Sequence, residues 1–412
     1  MEFMMKKIIC LALLGALILC SFTGCSRRRG GGDTEKITLT VWGPQEDQPN
    51  SEGWLPTMCE LFDDAHAEWD IEFKYGVCSE GEAGKNISAD PEGSADVYFF
   101  ANDQLGTLIQ ANAISELGGD TLRAVKEANS ENMVASVTGS DGGVYGVPFT
   151  GNTWFMFYNK SIFSEDDVKS LDRMLEKGKV AFPLTNSWYM GAFYLANGCT
   201  LFGENGMDSS QGIDFGGKEG TEATEYLCRL SKNRNFVNDA EGAGLSGLMN
   251  GSIGAIFSGS WDAKKISDAL GDNYGAASLP TARIGGAEQQ LLSFAGSKAV
   301  GVNPHCKNPE VAVALAAFLG SREAQKSHYE MRGIIPCDQS LLEDGAVSRD
   351  IAARAQNETI SKTAVVQPSI PEMDSFWIPT ENMGKAIVNG DVNEKNAAEK
   401  TKAYNDSLKA GL

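Results

Sequence analysis

The sequence predicts an α/β fold with a largely parallel sheet, because strand and helix patterns alternate near its N-terminus. KITLTVW, residues 36–42, alternates apolar and polar positions and is rich in β-branched residues, which is typical of a strand. Residues 54–68 then place apolar side chains at helical spacing, and WDIEFKY, residues 69–75, returns to a strand pattern. ADVYFF, residues 95–100, is a continuous apolar run, as expected of a strand buried on both faces. This order of elements is that of βαβ units, which form parallel sheets.

The middle of the chain predicts a hairpin and then a mainly helical region. GSDGGVYGVPF, residues 139–149, is rich in turn residues, and a strand pattern follows it in residues 153–163. SIGAIFS, residues 252–258, predicts a further strand, and the helix after it should be capped by Ser260, with Asp262 in its first turn. The helices predicted in between cover residues 166–177, 188–197, 219–232 and 243–250.

The C-terminal part predicts two pairs of helices. Residues 308–333 carry a helical pattern that Gly320 interrupts. Residues 376–408 form the second pair, separated at residues 389–391, and Pro379 should lie in the first turn of the earlier helix. A chain of 412 residues is long enough for two or three domains, or for one large unit with two lobes.

The N-terminus carries the pattern of an export signal. Two lysines precede an uncharged apolar stretch, residues 8–22, which is shorter than the ~18 residues expected of a spanning helix. TGC follows, and small residues before a cysteine resemble the signal of bacterial lipoproteins. The resemblance implies that residues 1–24 are removed, that Cys25 receives the lipid and that residues 25–35 form a tether. An ordinary cleaved signal with an incidental cysteine is the alternative.

Charge and composition exclude several classes of function. The chain has 35 basic and 55 acidic residues and a formal net charge of −20. This balance argues against binding to nucleic acid, which requires a basic surface, and against a peripheral grip on anionic lipid. Contact with a membrane should therefore come from the N-terminal lipid only. We expect a protein outside the cytoplasm, anchored at the outer face of the bacterial cell membrane.

The sequence lacks the common motifs of catalytic, nucleotide and metal sites. It contains no HExxH, Walker or GxSxG pattern, and the GxGxxG spacing of residues 242–247 falls on a predicted helix and not after a strand, so it is not a Rossmann fingerprint. His66, His305 and His328 fall in unrelated contexts, so we expect no metal and no cofactor. Acidic residues are plentiful, so a pair of glycosidase carboxylates stays open. The cysteines of the body are as readily free as bridged; they are Cys59, Cys78, Cys199, Cys228, Cys306 and Cys337.

Several aromatic residues stand at the ends of predicted elements, beside polar residues. Each alone is more readily explained by packing in the core. Together they suggest a sugar site, because a flat aromatic ring stacks on the C–H face of a pyranose while neighbouring polar groups pair with its hydroxyls. These residues are Trp42, Trp154, Trp188 with its neighbour Tyr189, Trp261 and Trp377.

Five segments, in this order along the chain, resemble the extracellular solute-binding proteins of ABC sugar importers, and among them the maltose- and maltodextrin-binding proteins. They are ADVYFFANDQLGTLIQANAISEL, YGVPFTGNTWFMFYNK, SIGAIFSGSWDAKKI, the helix pair 308–336 and IPEMDSFWIPTENMGKAIVNGDVN. The resemblance implies the two-lobed type II periplasmic-binding-protein fold. In that fold each lobe is a mainly parallel sheet flanked by helices, and the ligand lies in the cleft between them. Lobe one would comprise residues 36–148 and 296–344, and lobe two residues 149–295 and 345–412.

The resemblance also implies a set of residues in the cleft. Asp103 matches an aspartate that binds sugar hydroxyls, although it could instead cap the helix that follows it. Trp261 and Trp377 match stacking tryptophans, Trp188 replaces a stacking tyrosine, and Phe100 stands at the position of a stacking tryptophan. The remaining positions have changed from the family pattern. They are Gln45 and Glu46 for an Asp–Lys pair, Gln104 for an arginine, and Asn152 and Asn186 for two glutamates.

These implications together predict a binding protein without catalytic activity. It would capture an oligosaccharide, of the maltose or maltodextrin kind, by hinge closure and deliver it to the permease subunits of an ABC importer. We expect it to act as a monomer. A surface glycan hydrolase and a binding protein for another solute, such as a polyamine, are the alternatives.

Overall fold

The computed structural model describes residues 36–48, 53–203, 206–240 and 242–411. The predicted signal peptide, Cys25 and the tether lie outside these ranges. Within them, every helix falls short of the length or the apolar character that a membrane span requires.

Strands and helices alternate along most of the described chain. The strands are β1 (Lys36–Gly43), β2 (Asp70–Val77), β3 (Val97–Ala101), β4 (Val147–Asn152), β5 (Phe155–Asn159), β6 (Val180–Phe182), β7 (Thr200–Leu201), β8 (Ile213–Asp214), β9 (Phe236–Asn238), β10 (Ala255–Ser258), β11 (Tyr274–Ala277), β12 (Thr281–Ile284), β13 (Ala287–Gln290), β14 (Ser293–Val302) and β15 (Ala364–Val366). The α-helices are α1 (Trp54–Ala65), α2 (Ala83–Ser88), α3 (Leu105–Gln110), α4 (Gly119–Ala128), α5 (Glu131–Ala135), α6 (Leu171–Lys177), α7 (Ser187–Ala196), α8 (Gly217–Ser231), α9 (Ala243–Met249), α10 (Ala263–Leu270), α11 (Pro309–Leu319), α12 (Arg322–Arg332), α13 (Gln339–Leu342), α14 (Ile351–Lys362), α15 (Asp374–Asn389) and α16 (Ala397–Lys409).

The first sheet lies at the centre of lobe one. Its strand order is β15–β14–β3–β1–β2, and β4 also pairs with β14. β1 runs parallel to β2 and β3, which are the strands predicted from the N-terminal βαβ pattern. The core around this sheet includes Val41, Phe99 and Val300 from three neighbouring strands and Leu315 from α11.

The second sheet lies at the centre of lobe two and has the order β11–β5–β10–β6–β9. Successive side chains of a strand point to opposite faces of its sheet. Met156 and Tyr158 of β5 accordingly enter one hydrophobic core, whereas Phe155 and Phe157 enter another on the opposite face. Both faces of the sheet are therefore covered, as the continuous apolar run of β5 indicates.

Both sheets are mixed, whereas the sequence predicted mainly parallel ones. β14 is antiparallel to β3 and β4, and β5 is antiparallel to β10 and β11. The antiparallel strands of the first sheet belong to segments that run between the lobes. Phe294 of β14 packs in a core of lobe two, whereas Ala299 of the same strand packs in the core of lobe one.

Residues near the ends of β4 and β15 also connect the lobes. Phe149 belongs to the core of lobe one, and Trp154, five residues later, belongs to a core of lobe two. β15 pairs with the first sheet, and Ile370, just after it, packs in lobe two. Ile335 packs in a core of the second sheet. The lobe limits given above, 36–148 with 296–344 and 149–295 with 345–412, stay a prediction.

Two predicted helix starts are wrong. The helix after β10 begins at Ala263, and Ser260 lies inside a preceding 3₁₀ turn whose cap residue is Gly259. α15 begins at Asp374, so Pro379 is its sixth residue and not part of the first turn. An apolar-periodic pattern does not mark the added turn that precedes each helix, which explains both errors.

The residues that could form disulfides or a metal-binding cluster do neither in the described ranges. The six cysteines of the described chain are all free and buried. No group of three or more His, Cys, Asp or Glu in the described ranges is arranged to hold a metal ion.

Candidate functional site

A cavity of about 520 Å³ brings together residues from both lobes. Six of the residues predicted from the sequence line it: Asp103, Gln104, Asn152, Trp188, Trp261 and Trp377. Five further residues complete its wall: Gly81, Ala101, Lys298, Gln367 and Asp374. We call this space the cleft cavity.

Trp188 enters the cleft cavity from the first turn of α7. Asn186 caps this helix, and its side-chain oxygen accepts a hydrogen bond of 2.9 Å from the backbone nitrogen of Trp188. The indole nitrogen of Trp188 donates a 2.7 Å hydrogen bond to Oε1 of Gln367. Trp154 donates from its indole nitrogen to the backbone oxygen of Trp188 at 3.3 Å. The residue is therefore held through both its backbone and its ring.

Trp261 lies in the 3₁₀ turn after β10 and is 43% exposed. Its ring leans against that of Trp188, with 6.2 Å between centroids and 31° between planes. A Cβ on Gly259 would stand 2.0 Å from the Trp261 ring, so a larger residue there would displace the indole from this position. An exposed indole fixed in this manner presents a flat apolar face to the cavity.

Trp377 lies in the first turn of α15 and packs edge-on against two phenylalanines. Its ring centroid is 5.2 Å from that of Phe376 and 6.2 Å from that of Phe294. Phe376 itself is fully buried. The helix thus buries one aromatic residue and directs the next toward the cavity.

Asp103 and Gln104 line the cavity from the 3₁₀ turn after β3. Nε2 of Gln104 donates to Oδ2 of Asp103 at 2.8 Å. The following helix has no side-chain cap, so the carboxylate of Asp103 is not used as one. Burial raises the pKa of Asp103, and the charge of Asp374 raises it further, whereas Gln104 and Lys298 oppose the shift. A carboxylate in this setting gains from any ligand that donates hydrogen bonds to it.

Sequence reasoning missed three polar residues of the cavity wall. Asp374 lies one helical turn before Trp377, and partial burial raises its pKa. Lys298 is a charged residue within the apolar strand β14 and pairs with Glu80 at 3.2 Å. Gln367 follows β15. Two signals in the sequence could have indicated them. Lys298 and Gln367 interrupt apolar runs, and Asp374 lies on the same helix face as an aromatic residue.

Five predicted site residues lie outside the cleft cavity, and four of them are Gln45, Glu46, Asn186 and Tyr189. Gln45 and Glu46 are exposed in a 3₁₀ turn after β1. Asn186 acts as the cap of α7. Tyr189 is 8% exposed, and its ring is tilted against that of Trp154 with 4.9 Å between centroids, so it supports the wall rather than forming it.

Phe100 is placed in the core and not in the cavity. It is fully buried in β3, and its ring lies against the backbone of Gly146 and Gly301, where added Cβ atoms would meet it at 2.7 and 3.2 Å. The two glycines provide space for the ring inside lobe one. The expectation that Phe100 presents a stacking face is therefore corrected in this structure.

A second, larger cavity lacks the features of the predicted site. It measures about 1140 Å³ and is lined by none of the predicted residues and by no tryptophan. Val366 and Pro368 line it, whereas Gln367 between them lines the cleft cavity. The segment 364–369 therefore separates the two spaces. Of these two cavities, it is the cleft cavity that combines tryptophan faces with convergent amides and carboxylates, the arrangement that suits a ligand with flat apolar faces and polar edges.

Comparison with known proteins places this geometry in a family. The sequence model for bacterial extracellular solute-binding proteins matches residues 57–355. A galactooligosaccharide-binding protein of Bacillus subtilis is 26% identical, and the match covers 96% of each chain. A maltooligosaccharide ABC transporter solute-binding lipoprotein of Streptococcus pneumoniae is 28% identical over 93% of this chain and 91% of that one. A solved structure with acarbose is 51% identical and has a TM-score of 0.87, covering 90% of this chain and 98% of that chain.

Proposed function

Because the chain belongs to the bacterial extracellular solute-binding proteins, we propose that it captures an oligosaccharide of the maltooligosaccharide kind for an ABC importer. The names of the relatives support this ligand class, since one is a maltooligosaccharide and another a galactooligosaccharide-binding protein. A solved structure at 51% identity is described with acarbose, a pseudo-oligosaccharide. Family members are binding proteins, and this protein acts without cofactor and without bond cleavage.

The observation that carries the proposal is the convergence of three tryptophans on one cavity. Trp188, Trp261 and Trp377 come from three separate segments of lobe two and line the same space. Asp103 and Gln104 face them from lobe one. Sugar rings stack on the indoles, and their hydroxyls donate to the carboxylates and amides.

The binding mechanism is closure of the lobes on the ligand. A ligand that contacts both lobes binds the closed form better than the open one and shifts the population toward it. The permease subunits then receive the closed, loaded form. The protein works as a monomer, because one chain supplies every group named for the site.

Titration calorimetry with purified protein tests the proposal. Maltose, maltotriose, maltotetraose and acarbose should give saturable heats, and the longer sugars should bind more tightly because they cover more aromatic surface. Galacto- and xylo-oligosaccharides report on the ligand class, and spermidine tests the polyamine alternative. Absence of binding by every sugar at millimolar concentration would refute the proposal.

A glycan hydrolase is the second candidate, favoured by one observation. Asp103 and Asp374 both line the cavity, and a pair of carboxyl groups is what glycoside hydrolysis uses. Release of reducing ends from maltotetraose, abolished in Asp374→Asn, would establish the hydrolase. Tight binding, with the sugar still intact after prolonged incubation, would exclude the hydrolase and support the binding protein.

We propose a lipid anchor at Cys25, which a separate experiment tests. The full chain, expressed in a bacterium, should partition into the detergent phase of a Triton X-114 extraction. Cys25→Ser should move it to the aqueous phase while leaving sugar binding unchanged. Partition of both forms into the aqueous phase would exclude the anchor at this cysteine.

A further inference from the structure

Gln367, in the wall of the cleft cavity, bonds a tryptophan of lobe two through its side chain and a residue of lobe one through its backbone. Its Oε1 accepts from the indole nitrogen of Trp188 at 2.7 Å. Its backbone oxygen accepts from Nδ2 of Asn102, next to Asp103, at 3.4 Å, and its backbone nitrogen donates to Ala295 at 2.8 Å. The residue is only 2% exposed.

The chemistry of the indole determines the orientation of the amide. An indole N–H can only donate, so the atom of Gln367 that meets it is the carbonyl oxygen. The Nε2 group then becomes the part of this side chain that a ligand can use, and it donates. Gln367 can therefore bind an acceptor oxygen, such as a hydroxyl or a ring oxygen, while its own acceptor holds Trp188.

We propose that Gln367 is a positioning residue, which fixes the ring plane of Trp188 for the ligand and leaves an N–H donor toward the cavity. The inference rests on the proposed function. An indole with an unpaired N–H in a partly buried wall would turn to find another acceptor, because burying an unsatisfied donor costs free energy. Trp261 leans on Trp188 at 6.2 Å, so a change in one ring plane would also displace the other.

The backbone contacts explain why this position suits the role. Val366 and Pro368 line the larger cavity, whereas Gln367, the first residue after β15, lines the cleft cavity. The backbone of Gln367 is hydrogen-bonded to β14 and to Asn102. These bonds fix the position of its Cα, from which the side chain extends. The positions of the Trp188 and Trp261 rings therefore depend on the segment between the lobes that holds Gln367.

A test that needs no ligand uses the indole N–H signals of the ligand-free protein in ¹H–¹⁵N NMR. The signal missing in Trp188→Phe identifies Trp188. Gln367→Met keeps the length of the side chain but removes the acceptor, so the Trp188 signal should shift upfield or broaden. Gln367→Glu restores an acceptor oxygen and should return the signal toward its wild-type position. An unmoved signal in Gln367→Met would overturn the proposal.

Affinity provides the second readout. Gln367→Met should weaken binding of maltotetraose about 10-fold or more, the loss expected when a buried partner is removed. In the Trp188→Phe background the same substitution should have a smaller effect, limited to the loss of the Nε2 donor, because the bond to the indole is already absent. Equal effects in both backgrounds, or a change below twofold, would overturn the proposal.

Two controls separate this inference from its premises. Gln356→Met replaces a buried glutamine of α14 that does not line the cavity, and it should leave both the Trp188 signal and the affinity unchanged. Failure of wild-type protein to bind any sugar would refute the proposed function, whereas the NMR result would still decide whether Gln367 holds Trp188. Thermal unfolding of each variant verifies that it is folded.

Discussion

The three tryptophans of the cleft cavity differ in how much of each ring is buried against the protein core. Trp261 is 43% exposed. Trp188 and Trp377 are partly buried and pack against the main core of lobe two. The same substitution therefore has different consequences at these positions.

Trp261→Ala should weaken ligand binding by roughly 1–3 kcal/mol and leave the melting temperature nearly unchanged. The reason is that its ring contributes little to the core, while its exposed face is available to a sugar. Calorimetry and thermal unfolding together measure both effects. Trp69→Ala, in lobe one and outside the cavity, is the matched control and should not alter binding.

Trp377→Ala should reduce both affinity and stability, because Phe294 and Phe376 lose their edge-on partner. A Trp377→Ala protein as stable as wild type would contradict the expectation drawn from its packing.

Asp103 should act against stability at neutral pH. Its pKa is raised from the ordinary value of 3.8, chiefly by burial, so the folded protein binds this proton more tightly than the unfolded chain. Stability attributable to the group therefore falls as pH rises from about 4 through the folded pKa. Asp103→Asn should be more stable than wild type at pH 7, and the difference should vanish near pH 3.

Thermal unfolding across pH 3–8, without ligand, measures this difference. Glu343→Gln, an exposed position outside the cavity, is the control and should follow wild type. A constant offset between Asp103→Asn and wild type at all pH values would show that the carboxyl does not titrate as its environment indicates.

At the scale of elements, α15 contains a proline at an interior position, where proline is unfavourable for a helix. Pro379 is the sixth residue of the helix, beyond the first turn in which a missing N–H is harmless. The carbonyl of Ser375 consequently lacks its usual intrahelical donor. The proline follows Trp377 by two residues, so local backbone geometry at the site and helix stability are linked.

Pro379→Ala should raise the free energy of unfolding by about 1–3 kcal/mol, since alanine restores the N–H and relieves the ring clash. Part of the gain is offset because proline also restricts the unfolded chain. Chemical denaturation measures it. A loss of stability would mean that packing of the proline ring stabilises the protein more than the restored hydrogen bond does. Affinity for maltotetraose, measured alongside, shows whether the proline orients Trp377.

At the scale of the whole molecule, β14 links the two lobes, and within it Gly296 packs closely against Asn102. An added Cβ there would stand 1.8 Å from Oδ1 of Asn102, a side chain with no exposed surface. Asn102 also bonds the backbone of Gln367. Three segments from different parts of the sequence therefore meet at this one point.

Gly296→Ala should destabilise the protein by about 1–3 kcal/mol, because the side chain of Asn102 must move within a packed interior. Asn102→Ala in the same chain should recover part of the loss by making space. Gly118→Ala, where a Cβ meets nothing within 4 Å, is the control. Thermal unfolding gives the ranking, and a Gly296→Ala protein as stable as the control would contradict it.

The sequence by itself determined the kinds of elements and much of their order. Local periodicity identifies β1, β3 and the helix pair broken at Gly320, because burial of one face or both leaves a pattern within a few residues. The resemblance to sugar-binding proteins also indicated Asp103, Trp261 and Trp377, which stand in recognisable segments. The family is confirmed by the match over residues 57–355.

Only the tertiary structure decided which of these side chains share a space. Phe100 and Asp103 are three residues apart, yet one fills a core next to two glycines and the other lines the cavity. Gln367 and Asp374 join Asp103 although more than 260 positions separate them in the chain. Such proximity depends on segments that cross between the lobes, and a pattern confined to neighbouring residues contains no information about it.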